Sequence, residues 1–322
     1  MIITKTPLRV SFAGGGTDII DYYKTGYGAV VSAAINKYMY ITVNKRFEDT
    51  IRVSYSITEI VKEAEELRHD LVKECLKMTE IRKGIEITSI SDIPSGTGLG
   101  SSSCFTVGLL NALFTYTGRQ ISSEDLAKLA CRIEIDVLGH PIGKQDQYAC
   151  ACGGVNYLQF NADESVERIQ IVLDEWNLRD MNRKFLMFYT GIRRNADDVL
   201  REQKEKTESE LQMLDEMRNQ ALEVRDEFLK NGFGERIARE LHKGWEMKKT
   251  LARKISNQKI DGIYEKARKA GALGGKILGA GGGGFLLVYC DEDKQNDVRK
   301  AVGLKEIEFK ISPYGSRVVY FG

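Results

Sequence analysis

The stretch Ile93-Pro-Ser-Gly-Thr-Gly-Leu-Gly-Ser-Ser-Ser-Cys104 sets glycines and hydroxyl side chains directly ahead of Phe105–Phe114, a run apolar on nearly every side. Two well-known phosphate loops come close and neither fits. A loop of form GxxxxGK[ST] needs a lysine where Ser101 follows Gly100, and a GxGxxG fingerprint needs one more residue than Gly96-Thr-Gly-Leu-Gly100 supplies. What remains is the physics both loops share: glycines permit close backbone approach, N–H groups converge, and a helix N-terminus adds partial positive charge. One cap needs one hydroxyl, whereas a magnesium ion between phosphates can use another. The same stretch also reads as a capped turn that merely starts a core helix, and the stretch alone does not choose between them.

Outward from this loop, Ile85–Ile90 leads in as a strand, and Gly118 can stop the helix, whose all-round apolarity places it in a domain centre. Ser122-Ser-Glu-Asp125 resembles a capping box, followed by Leu126, Leu129, Ala130, Ile133 and Val137 at helical spacing. Glu134 and Asp136 flank that helix on opposite sides, so periodicity does not say which enters a cleft. Nearer the start, Leu8–Phe12 alternates as a half-buried strand with Arg9 facing away from the core, and Ala29–Ile35 and Met39–Arg46 are two further strands.

The second half changes character. Helical patterns are expected over about 195–230, 235–255 and 262–270, then a glycine loop over 271–284, a strand over 285–290 and a helix over 296–302. Two final strands, over 307–311 and 317–321, close the reading. The shift from strand-rich to helix-rich sequence near residue 180 predicts two domains, 1–180 and 181–322.

Charge excludes several functions. With 47 basic and 46 acidic residues the net charge is +1, so no broad field recommends nucleic acid or an acidic membrane as partner. The start, MIITKTPLRVSF, lacks a signal-peptide core and no apolar run is long enough to span a bilayer, so a cytoplasmic location is expected. Cysteines 75, 104, 131, 150, 152 and 290 form no CxxC pair and have only His69, His140 and His242 for company. They read as small buried apolar residues rather than a zinc site.

Three glycine motifs in fixed order carry a resemblance. Pro7-Leu-Arg-Val-Ser-Phe-Ala-Gly-Gly-Gly-Thr-Asp18, Pro94-Ser-Gly-Thr-Gly-Leu-Gly-Ser-Ser-Ser103 and Lys276-Ile-Leu-Gly-Ala-Gly-Gly-Gly-Gly284 look like those of the GHMP kinases, over nearly the whole chain. The resemblance implies an α+β fold with an N-terminal ribosomal-protein-like domain, a C-terminal ferredoxin-like domain and an active site between them. It implies ATP and Mg2+ as cofactors, with ATP phosphates held by Pro94, Gly96, Gly98, Leu99, Gly100, Ser101, Ser102 and Ser103. Ser102 and Glu134 match the magnesium ligands, Asp146 the acid facing the acceptor hydroxyl, and Arg9 the basic residue of the first motif. Asp18, with Gly15, Gly16 and Thr17, matches the sugar side of the group's sugar kinases, and the third loop, with Gly282 and Gly283, would close against the phosphate loop.

Within the family, Ala13–Asp18, Gly143-Lys-Gln-Asp-Gln-Tyr-Ala149 and Tyr189-Thr-Gly-Ile-Arg-Arg-Asn-Ala196 are similar to the D-glycero-D-manno-heptose 7-phosphate kinases. That implies transfer to the anomeric hydroxyl of heptose 7-phosphate, giving the 1,7-bisphosphate. Ser103 departs from the family's pattern, which has alanine there. Arg193 and Arg194 are candidates for the 7-phosphate, because guanidinium binds phosphate bidentately. The expected partner is a small sugar phosphate, and a homodimer is compatible with the sequence. The rival expectations are another kinase on this scaffold, such as a fucokinase or an isoprenoid-pathway kinase, and a sensor that binds ATP and sugar without turnover.

Overall fold

The computed structural model describes residues 1–192, 199, 201–202 and 210–322. Two sheets organise it. β1 (Ile2–Ala13) and β2 (Tyr27–Lys45) form the centre of an eight-stranded sheet, with the short helix α1 (Ile20–Tyr23) between them. On one side of β2 come β5 (Ile85–Ser91), β3 (Ile51–Ser54) and β4 (Thr58–Val61), and β6 (Val155–Asn161) pairs with both β2 and β7 (Val166–Ile171). β2 is one strand of 19 residues where two are expected. Its register against β1 shifts as Pro7 pairs with Tyr38 and Leu8 with Ile35, so Asn36 and Lys37 bulge out and break the alternation.

Helix α3 (Ser101–Tyr116) packs on this sheet and helix α2 (Asp70–Thr79) packs on α3, and ten residues of α3 are buried, as its all-apolar sequence requires. Gly118 follows the helix at φ +72°. Helix α4 (Ser123–Cys131) begins on Ser122, whose Oγ accepts the Asp125 N–H at 3.1 Å. It then widens into a π turn over Arg132–Val137, where the Leu138 N–H bonds to the Ile133 carbonyl. Helix α5 (Gln145–Cys152) packs against α3 and α4.

The second sheet has the order β11-β8-β10-β9, from β8 (Phe185–Tyr189), β9 (Gly274–Ile277), β10 (Phe285–Tyr289) and β11 (Lys305–Glu306), all antiparallel. Helices Leu211–Asn231, Glu235–Leu251 and Gln258–Lys269 belong to this half of the chain. A strand hides inside the expected glycine loop: β9 opens on Gly274 and Gly275 because a Cβ on Gly274 would lie 1.7 Å from the Ala238 carbonyl oxygen. Of the expected strand over 307–311 only an isolated bridge from Ile311 to Ile35 forms, and β11 ends just before that range. β12 (Arg317–Phe321), expected to close the second domain, pairs instead with β1 at the edge of the first sheet. Local alternation marks a strand, but its partner is chosen by which edge the returning chain reaches.

Arg9 corrects another expectation. It is 3% exposed, and every residue from Leu8 to Ala13 is buried, because both faces of β1 are covered. Phe12 stacks on Phe185 of the second sheet at 5.6 Å, so the two halves share one core across this strand. No helix among the described residues is long and apolar enough to cross a membrane. The six cysteines are free thiols, all buried except the half-buried Cys152.

Candidate active site

The glycine loop enters α3 through Gly96, Gly98 and Gly100, at φ +74°, +82° and +74°, a region where a side chain is strained. No side chain caps α3, so the N–H groups of its first turn are not taken by a capping hydroxyl, against the reading of this stretch as a capped turn. The serines are otherwise engaged: Ser102 Oγ donates to Glu134 Oε1 at 3.0 Å, and the Ser103 hydroxyl also bonds to this carboxylate. Leu99 does not face the cavity. It is fully buried, and its carbonyl accepts the Arg9 N–H at 3.1 Å, locking the loop to β1.

The π turn resolves the choice between the two acids. It turns Glu134 inward, fully buried, and leaves Asp136 exposed. The same turn carries Val137 off the buried face to 51% exposure, against the helical expectation. Gln147 Nε2 donates to Glu134 Oε2 at 2.7 Å. Burial pushes the Glu134 carboxyl up to about 7, with the bonds from Gln147 and the two serines opposing it.

Asp146 stands at the start of α5 and is held from both sides by Arg9. Nε reaches Oδ1 and Nη2 reaches Oδ2, each at 2.7 Å, a bidentate charge-assisted pair. Arg9 Nη1 donates to the Gly98 carbonyl at 2.6 Å, so one guanidinium ties the acid to the glycine loop. Asp146, Gly96, Gly98, Gly100 and Ser101–Ser103 line one cavity of about 240 Å3, whose far wall is Gly16, Asp18, His140, Ile142 and Gln145.

Asp18 is buried and receives the Gly16 and Gln145 N–H groups at 3.0 and 3.2 Å. Burial pushes its carboxyl up, those two N–H groups pull it back, and the Asp146 charge pushes it further up. Thr17 does not reach the cavity: its hydroxyl donates to the Gly14 and Ala29 carbonyls and closes the turn. Gly15 lies behind the wall, where a Cβ would come within 3.6 Å of Gln145 Nε2.

The third glycine loop does close on the phosphate loop. A Cβ on Gly98 would lie 2.4 Å from the Leu278 carbonyl oxygen, and one on Gly284 would lie 2.1 Å from that of Thr97. Gly279 and Ala280 line the cavity. Gly282 and Gly283 do not: the Gly282 N–H bonds to the Ile255 carbonyl, and a Cβ on Gly283 would strike Ile192. The curl of the loop against these two isoleucines decides which glycines face inward. Arg193 and Arg194 lie outside the described residues.

A second cavity of about 640 Å3 meets the first at Gly96, Ser101 and Ser102. Met39, Leu71, Ile93 and Pro94 give it apolar walls, and the His69 ring stacks on Phe105 at 4.9 Å with Tyr55 edge-on at 4.7 Å. Burial pulls the His69 imidazole below its ordinary value, favouring the neutral ring. The glycine loop marks one wall of this cavity, while its other walls come from distant elements that carry no motif. Sequence reasoning also misses Lys248 and Gln145 as cavity residues. Gln145 stands inside the Gly143–Ala149 motif, whereas Lys248 has no local signal and lies in a charged helix like its neighbours.

Comparison with known proteins shows the family. Residues 59–154 match the N-terminal domain of the GHMP kinases and residues 226–306 match their C-terminal domain. The chain is 31% identical to the D-glycero-alpha-D-manno-heptose 7-phosphate kinase of Campylobacter jejuni, over 94% of this chain and 93% of that one. It is 28% identical to the galactokinase of Pyrococcus furiosus, over 97% of this chain and 95% of that one. The crystal structure of a D-glycero-D-manno-heptose 1-phosphate kinase from Bacteroides thetaiotaomicron covers both chains fully, with a TM-score of 0.83 at 24% identity, and shows the shared fold. The chain belongs to the GHMP kinases and is a phosphotransferase with an alcohol group as acceptor.

Proposed function

We propose that the protein transfers the γ-phosphoryl group of ATP to the anomeric hydroxyl of D-glycero-D-manno-heptose 7-phosphate, giving the 1,7-bisphosphate for nucleotide-activated heptose synthesis. The observation that carries this reading is the single cavity that joins the open N-terminus of α3 to Asp146 under its Arg9 clamp. ATP phosphates bind the N–H groups at the head of α3, and the base occupies the aromatic second cavity beside them. Phosphoryl transfer asks mainly for positioning and charge neutralisation. Asp146 accepts the proton of the acceptor hydroxyl, and Arg9 holds both carboxylate oxygens in place.

Ser102 and Glu134 fit Mg2+ by the chemistry of their donors, a hydroxyl and a carboxylate, both hard oxygen ligands. Burial, with the Asp146 charge adding to it, holds the Glu134 carboxyl near 7, so this pocket disfavours the anion unless a cation shares it. When bound, the ion supplies positive charge to the transferring phosphate. On the acceptor side, Asp18 receives sugar hydroxyls. Arg193 and Arg194 receive the 7-phosphate: they follow Ile192, whose carbonyl accepts the Gly284 N–H of the third loop.

The test is ADP release with Mg-ATP and a panel of heptose 7-phosphate, free heptose, fucose, galactose and mevalonate. Heptose 7-phosphate should exceed every other acceptor in kcat/KM by about 100-fold or more. Equal or better turnover of free heptose, fucose, galactose or mevalonate overturns the assignment.

A further inference from the structure

Lys248 belongs to none of the three glycine motifs, yet it lines the cavity that contains Asp146. It is carried by the helix Glu235–Leu251, from the opposite half of the molecule, and is 4% exposed. Its Nζ donates to the Gly279 carbonyl at 2.8 Å. Gly279 in turn rests on the phosphate loop, since a Cβ there would lie 2.6 Å from Gly98 Cα. On its other flank, a Cβ on Gly15 would come 3.7 Å from this Nζ and 3.6 Å from Gln145 Nε2. The ammonium therefore stands at the seam between the third glycine loop and the Gly15 turn, on the wall of the cavity that contains Asp146.

Two other cations stand nearby. Arg9 places Nε and Nη2 on Asp146. Lys276 is buried behind the site with its Nζ 3.5 Å from the Phe12 carbonyl, and burial, together with the charges of Lys248 and Arg9, holds its amine well below the ordinary value. Little water screens a cation on the wall of such a cavity, so an anionic oxygen that enters feels the Lys248 charge strongly.

We propose that Lys248 is a catalytic residue whose ammonium contacts the phosphoryl group in transfer. The inference rests on the reading of this cavity as the kinase site. In the step, the acceptor oxygen bonds to the γ-phosphorus and the bond from that phosphorus to the β,γ-bridging oxygen breaks, its electron pair leaving on ADP. The acceptor proton passes to Asp146, and Lys248 stays protonated throughout. Its charge offsets the negative charge spread over the equatorial oxygens, in a site where water is scarce.

Lys248→Met and Lys248→Arg test this on the full-length protein, with the alcohol that the acceptor panel identifies. In Lys248→Met, kcat should fall by about 100- to 1,000-fold, with both KM values within about fivefold of wild type. Lys248→Arg should recover at least about tenfold of the loss, since it restores the charge. Inhibition by ADP with aluminium fluoride and acceptor, a mimic of the planar phosphoryl group, should weaken by about 100-fold while ADP affinity by calorimetry stays unchanged. A kcat near wild type with a raised acceptor KM makes Lys248 a ground-state binding residue and overturns the proposal. Equal losses of ADP affinity and of the mimic's affinity reduce it to a support for Gly279, with the same consequence. If the wild type acts on another alcohol and not on heptose 7-phosphate, the heptose assignment falls while the Lys248 measurement proceeds on that alcohol.

Discussion

Glu134 makes a prediction that needs no substrate. Its carboxyl is fully buried and burial raises it from 4.5 to about 7, so the folded protein keeps this proton where the unfolded chain has released it. For an acid raised on folding, the contribution to stability is full below pH 4.5 and is lost as pH climbs to about 7, because the unfolded state then binds fewer protons. Between pH 5 and pH 7.5 the loss comes to about 2 kcal/mol from this one group, at about 1.4 kcal/mol for each tenfold difference in proton affinity between the two states. Glu134→Gln keeps the shape and removes the titration. In metal-free buffer, urea unfolding at the two pH values should show wild type losing about 2 kcal/mol more than the variant. Parallel pH dependence of the two proteins, within about 0.5 kcal/mol, would refute the argument, since it would mean that the carboxylate ionises in the folded cleft as freely as in water.

Three further outcomes are expected. Asp146→Asn leaves Arg9 without its bidentate anion and removes the base, so turnover should fall by roughly two to four orders of magnitude with nucleotide affinity by calorimetry almost unchanged; near-normal turnover removes Asp146 from the chemistry. Gly98→Ala places a methyl 2.4 Å from the Leu278 carbonyl at φ +82°, and should cost about 1–3 kcal/mol in unfolding measurements along with loss of ATP binding; unchanged stability and affinity would mean the two glycine loops do not close as described. Arg193→Ala and Arg194→Ala should each raise the KM for the sugar phosphate by about tenfold and the ATP KM far less, and an equal effect on both substrates counts against their role.

Much of the site is legible from local sequence because its chemistry is backbone chemistry. Gly96, Gly98 and Gly100 are required wherever the chain takes positive φ, so the loop announces itself without any knowledge of the fold. Ser122 marks its helix by the same logic, as a cap whose bond closes within three residues. The choice of Glu134 over Asp136 is different. It turns on i to i+5 hydrogen bonding over Arg132–Val137, and a π turn has no propensity signal comparable to a cap. Gln147 lies in the Gly143–Ala149 motif, yet its bond to Glu134 depends on how α5 packs against that turn.

The amino-acid sequence by itself determined the glycine loop ahead of a buried helix, the alternating strands around it, and the order of the three motifs. These follow from φ preferences and periodicity, which act within a few residues. Only the tertiary structure decided that β1 is covered on both faces, that β12 returns to its edge, that Gly279 rather than Gly282 or Gly283 lines the cavity, and that Lys248 reaches the cavity of Asp146. Those facts join residues more than a hundred positions apart, such as Arg9 and Asp146, whose meeting is set by packing of the two sheets and their helices and leaves no trace in local pattern.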